Sequence, residues 1–331
     1  MHKVGIIGLG FIGKMHLGSL RKTGMAEIVA VADKDAANLG QGAAKEGNIA
    51  LDGDLSLEGV KIYSEGDELL ADPEVEVVLI ALPTSLHKEY ALKAIEAGKH
   101  IMCEKPFVRH TEEGKEILQA LKGYDKNFMV LQCIRFWPAY AKAYELIESG
   151  EYGKVLSAHF VRHSPKPTWS WNNWLLENPL GGGALVDLHV HDVDFVNHCF
   201  GKPSKIEAAG VIDDDEGVGD IMSMYTYEGG PVVTIHGAWT FTPKYPFRMG
   251  FQMCLEKASF EFNSLVDMNL HVYPEDGSAL TPEIDSADGY FLEEKYFLEC
   301  IDKGEKPEVI TPESALEAVT LVEQELAAMV A

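Results

Sequence analysis

Asp187 and His191 lie four residues apart in the stretch GGGALVDLHVHDVDF, Gly181 to Phe195. On a helix starting near Ala184 they share one face. A carboxylate one turn before a histidine can orient the ring and tune it for proton transfer. The same spacing suits two metal ligands, and a histidine on an apolar helix is also an ordinary core residue. His189 and Asp192 point elsewhere, because helical residues two apart diverge by about 200°. Convergent metal ligation by Asp187, His189, His191 and Asp192 is therefore disfavoured, and no metal is expected.

A second group of residues is GLGFIG, Gly8 to Gly13, between a strand and a helix. Gly8 permits a tight turn, Gly10 lets the backbone approach a pyrophosphate, and Gly13 allows close helix packing. Phe11 and Ile12 open the helix, whose N-terminal amides favour phosphate. Asp33 ends the second strand, where a carboxylate accepts hydrogen bonds from an adenosine ribose and repels a 2′-phosphate. NAD is favoured over NADP, with Lys34 as the residue that would tolerate the phosphate.

CEKP, Cys103 to Pro106, places Lys105 after a strand, at the edge where parallel sheets bind ligands. Near a nicotinamide ring or in a dry cleft such a lysine exchanges protons; taken alone, the short motif favours a surface lysine before a proline turn. PKPTWSWNNW (165–174) reads as a loop. Trp169, Trp171 and Trp174 suit the apolar faces of a sugar, or a packing cluster. Arg135 and Tyr245 are further substrate-contact candidates.

The elements around these residues fall into two textures. Residues 1–122 alternate strands and helices, which implies a parallel α/β sheet. Residues 123–331 carry longer strands separated by tight turns such as EGGP, which implies a mostly antiparallel sheet, with two helices closing the chain. A formal net charge of -24 disfavours nucleic acid and anionic membranes as partners. Five scattered cysteines without a CxxC pair suggest reduced thiols in a cytoplasm. No signal pattern or membrane-spanning run is present.

Taken together and in order, Gly8–Gly13, Asp33, LPTSLH (82–87), AGKHIMCEKP (97–106) and GGGALVDLHVH (181–191) resemble the Gfo/Idh/MocA oxidoreductases over nearly the whole chain. The resemblance implies an α/β Rossmann domain followed by an α+β domain with a large open, mostly antiparallel sheet. That sheet would join subunits into a homodimer or homotetramer. It further implies that Leu82, Pro83, Thr84, His87 and Glu104 line the cofactor, that Lys105 reaches cofactor and reacting hydroxyl, and that Asp187 and His191 face a sugar or polyol substrate. His189 departs from the DxGxH pattern often seen in the family, and would narrow the pocket, add a hydrogen bond or pack. Redox-neutral glycosidases and non-catalytic NAD or sugar sensors of the same superfamily remain alternatives.

Overall fold

The structure is a computed structural model and describes residues 1–35, 51 and 53–330. Its chain divides into two compact units. The first comprises Met1–Gln132, Thr168–Trp174 and Tyr290–Leu316; the second comprises Cys133–Pro167, Leu175–Gly289 and Glu317–Ala331.

In the first unit the strands are β1 (His2–Ile7), β2 (Ala26–Ala32), β3 (Lys61–Tyr63), β4 (Val77–Ile80), β5 (His100–Glu104) and β6 (Phe128–Leu131). Every pairing is parallel, in the order β3-β2-β1-β4-β5-β6. β4 (VVLI) and β6 (FMVL) are buried at every position, as strands covered on both faces must be. The order reverses between β1 and β4, and ligands bind at the carboxyl ends around such a switch point. Helix α1 (Phe11–Lys22) leaves β1 there. Three more helices follow, α2 (Gly66–Ala71), α3 (His87–Glu96) and α4 (Thr111–Ala120).

β6 pairs with β5 through Cys103↔Val130 and Glu104↔Leu131, so the parallel sheet ends at Leu131. Residues 168–174 and 290–316 also return to this unit.

The second unit holds helix α5 (Pro138–Ser149) and seven strands: β7 (Val155–Pro165), β8 (Lys205–Asp213), β9 (Gly217–Thr226), β10 (Val232–Phe241), β11 (Arg248–Leu255), β12 (Ala258–Asn263) and β13 (His271–Pro274). Their order is β13-β12-β11-β7-β10-β9-β8. Only β7 and β10 pair in parallel; the other pairs are antiparallel. The first and last strands of this order do not pair with each other, so the sheet is open. A π-helical turn (Leu185–His189) leads into α6 (Val190–Phe200), which packs on one sheet face. The helices α7 (Gly289–Lys303) and α8 (Pro312–Val330) close the chain.

Candidate functional site

In the first unit, the glycine turn divides its labour. Gly8 has φ +90°, and a Cβ there would overlap the Ala81 carbonyl; one on Gly13 would overlap the Gly8 carbonyl. A Cβ on Gly10 meets nothing within 4 Å, and Gly10 is exposed at the cap of α1. Two glycines thus close the turn against protein, and the third leaves an open approach to the helix N-terminus. That combination fits a pyrophosphate held on backbone amides. Asp33 is partly exposed. Its Oδ2 accepts the Leu9 amide at 2.7 Å and its Oδ1 the Asp35 amide at 2.9 Å. The acid is thereby fixed beside the turn. Lys34 is exposed.

Lys105 is partly exposed and directly follows β5. The preceding acid faces inward. Glu104 is buried; its Oε1 lies 2.6 Å from Nε2 of His16, and its Oε2 accepts the Lys105 amide at 2.9 Å. His16 Nδ1 lies 2.6 Å from Glu294 Oε1. Burial opposes charge on the His16 ring, but the hydrogen bonds to Glu104 and Glu294 outweigh it and raise its pKa to about 10. An imidazolium donating to two carboxylates therefore ties α1, the end of β5 and α7 together. Glu104, expected to line the cofactor, is buried and supports the Lys105 turn.

Two other expected lining residues also lie beneath the surface. Thr84 is buried. The fully buried His87 ring lies 2.8 Å from both the Pro106 and Leu82 carbonyls, and burial holds its pKa below the ordinary value. His87 clamps the LPT turn to the EKP turn; Leu82 and Pro83 keep partial exposure.

In the second unit, the glycines before the helix serve packing. Gly183 has φ +76°, and a Cβ there would stand 2.5 Å from the Val218 carbonyl oxygen. Only a bare backbone can bridge to β9 here. The helix then opens with the π turn, a feature frequent at functional sites. Every residue from Gly181 to Asn197 is buried except Asp187 and His191.

The remaining titratable groups of this stretch hydrogen-bond inside. Asp192 receives Nε and Nη2 of Arg162 at 2.8 and 3.0 Å. Asp194 receives Nε and Nη2 of Arg135 at 2.7 and 2.6 Å. His189 Nε2 lies 3.0 Å from Glu325 Oε1, which also accepts the Tyr225 hydroxyl at 2.9 Å. The two arginine–aspartate pairs are charge-assisted contacts in a dry interior, where an unpaired charge could not persist.

Arg135 and His189, expected at the substrate, are placed inside with acidic partners. Arg135 is 5% exposed and spent on Asp194; His189 is 0% exposed and lies against Gly237, whose missing side chain makes its room. Of the other candidates, Trp169 packs on Phe11 with ring centroids 5.0 Å apart. Trp174 is partly exposed. The side chain of Trp171 lies outside the described residues. Tyr245 is partly exposed, 4.3 Å from the Phe241 ring. Among the described residues, no group of three His, Cys, Asp or Glu side chains is arranged to hold a metal ion. No described helix is long and apolar enough to cross a membrane.

His16, Glu294, Arg162, Tyr225 and Glu325 were not singled out by sequence reasoning. Arg162 carried a usable signal, a charge amid the apolar positions of AHFVRH. The others sit in unremarkable helical or strand patterns far from their partners.

The family model for the oxidoreductase family with NAD-binding Rossmann fold, GFO_IDH_MocA, matches residues 2–132, and that for the GFO/IDH/MocA C-terminal domain matches 140–261. The chain belongs to the Gfo/Idh/MocA oxidoreductases. Among its relatives in this family is the trans-1,2-dihydrobenzene-1,2-diol dehydrogenase of Mus musculus, 32% identical over 71% of this chain and 67% of that protein. Another is the 1,5-anhydro-D-fructose reductase of Ensifer adhaerens, 29% identical over 72% and 70%. A levoglucosan dehydrogenase solved with NADH and levoglucosan shares the Gfo/Idh/MocA fold, with a TM-score of 0.85, 22% identity and coverage of 99% of this chain and 97% of that one. Of the curated relatives that it matches first, the chain spans 57%, 40% and 53% of their own length, and 89% of a fourth.

Proposed function

We propose that this protein is an NAD(H)-dependent oxidoreductase acting on a secondary hydroxyl, or the corresponding ketone, of a sugar, sugar derivative or cyclitol. The observation that carries the reading is the selective exposure of Asp187 and His191 on an otherwise buried stretch. An acid and a histidine that keep partial exposure where the residues around them are buried are placed to meet a ligand. The relatives' sugar and diol chemistry supports the substrate class.

Bound NAD supplies the hydride acceptor. The open Gly10 cap and the amides of Phe11, Ile12 and Gly13 hold its pyrophosphate, and Asp33 takes the ribose hydroxyls and disfavours NADP. His191 removes the proton from the substrate hydroxyl while Asp187 fixes the ring's orientation and tautomer. Lys105 donates a hydrogen bond to the same oxygen and stabilises its developing negative charge. Trp174 and Tyr245, both partly exposed, are the ring faces offered to the substrate's C–H surfaces.

The reading also places the protein in the cytoplasm. It forms a homodimer or homotetramer through the open face of the second sheet, where Met222 and Val232 are exposed. The test is absorbance at 340 nm with NAD, and separately NADP, against inositols, hexoses, anhydrosugars and glycosides, with NADH and keto-sugars for the reverse direction. NADH formation with one polyol class is expected. Sugar released from glycosides without NADH accumulation, or no turnover at all, would replace this reading with a glycosidase or a sensor.

A further inference from the structure

We infer that Trp169 is a coenzyme-retaining residue, held against Phe11 at the edge of the phosphate-binding turn. The inference rests on the NAD reading above. Its first support is chain path. Residues 133–167 and 175–289 belong to the second unit, yet Thr168–Trp174 between them belongs to the first. A seven-residue excursion needs something to hold it.

The contact that holds it is aromatic. The Trp169 and Phe11 rings stand 5.0 Å apart at 55°, within the range in which such pairs attract beyond their buried area. Both side chains keep partial exposure, so the pair is a surface clasp and not a core contact. Phe11 is the first residue of α1 and follows Gly10, the one glycine of the turn with open space beyond its Cα. The indole thus stands beside the place where a pyrophosphate would meet the helix amides.

The segment's backbone agrees. Ser170 is buried and its carbonyl accepts the Asn173 amide at 3.0 Å. Asn172 and Asn173 both take left-handed conformations, φ 48° and 57°. Two successive non-glycine residues in that region carry a cost that persists only where the surroundings fix them, and asparagine tolerates it best. The bend turns the chain sharply after Trp169 has reached Phe11.

An indole at this margin acts on the nucleotide in two ways. It blocks outward movement of the phosphates, and it excludes water from the amide–phosphate contacts, which strengthens them. Its effect therefore falls on dissociation more than on association, and on ligands that carry the pyrophosphate. The sugar-facing alternative for Trp169 would instead alter substrate affinity alone.

The test is titration of the full-length protein with NADH, ADP-ribose and AMP, for the wild type and for Trp169→Leu, Trp169→Phe and Phe11→Leu. Trp169→Leu and Phe11→Leu should each raise the dissociation constants of NADH and ADP-ribose by about tenfold, the scale of one aromatic pair. Stopped-flow release should be faster by a similar factor, AMP binding should be unchanged, and Trp169→Phe should restore most of the affinity. The double variant should be no weaker than either single one, since both remove the same clasp. Unchanged NADH affinity in Trp169→Leu, or a loss extending equally to AMP, overturns the inference while leaving NAD as the coenzyme. A wild-type protein that binds neither NADH nor ADP-ribose overturns the NAD reading and this inference with it.

Discussion

Two glycine-rich turns open two helices in this protein, and they use the same residue for opposite ends. At Gly10 the missing side chain leaves space, and φ is an ordinary -68°. At Gly183 the missing side chain is filled by protein, with φ +76° and the Val218 carbonyl where a Cβ would be. The first turn keeps room for a ligand and asks little of its side chains. The second turn locks a helix onto a sheet and leaves two titratable side chains partly exposed, Asp187 and His191, which the proposed function makes the chemical ones. Glycine patterns alone do not separate binding from packing; the surroundings of the absent Cβ do.

The largest expected effect tests the second region's chemistry. His191→Ala should lower turnover by roughly two to four orders of magnitude, the scale of a general base, and leave the melting temperature nearly unchanged, because His191 is only partly buried. Steady-state kinetics beside a thermal melt measures both. Lys105→Ala should lose turnover on the same scale. Near-normal turnover in either variant removes that residue from the mechanism.

Next comes the packing of that region. Asp192→Ala strands the Arg162 guanidinium in the interior and should cost about 3–5 kcal/mol of stability, read by chemical denaturation. Gly183→Ala should cost about 1–3 kcal/mol from backbone strain, and more where Val218 must move. Gly10→Ala, by contrast, should leave stability within about 0.5 kcal/mol and raise the NAD dissociation constant at least about tenfold. Equal destabilisation by the two glycine variants would erase the distinction between the turns.

A pH-dependent effect sharpens the first region. The His16 pKa is raised in the folded state from 6.5 to about 10, so the folded protein holds that proton more tightly than the unfolded chain. Its contribution to stability is complete below about pH 6.5 and is lost as pH rises toward 10. Melting temperatures should fall across that window, and His16→Gln should flatten the fall. A slope identical in both proteins would remove the imidazolium from the account of how α1, β5 and α7 are held together.

Much of this was legible in the sequence because it is local. GLGFIG, EKP and DLHVH each declare themselves within a few residues, and strand and helix positions followed hydrophobic periodicity closely. What could not be read is the set of contacts joining distant positions. Arg135 and Asp194 are 59 residues apart, and His189 and Glu325 are 136 apart. A buried charge announces its chemistry in sequence but not its partner, so Arg135 and His189 resembled substrate contacts until their acids came into view. His16 was invisible because a histidine six residues past Gly10 has no local reason to meet two glutamates.

The central claim is that one buried stretch sorts its titratable groups into structural and chemical ones. The most direct measurement sets turnover against melting temperature for Asp187→Asn and His191→Ala on one side and Asp192→Asn and Asp194→Asn on the other, assayed with NAD and the polyol that the 340 nm panel identifies. The account predicts that the first pair loses turnover and keeps its melting temperature, and that the second pair loses melting temperature first. Retained turnover in His191→Ala and Asp187→Asn, with the loss concentrated in the Asp192 and Asp194 variants at temperatures where they stay folded, would contradict it.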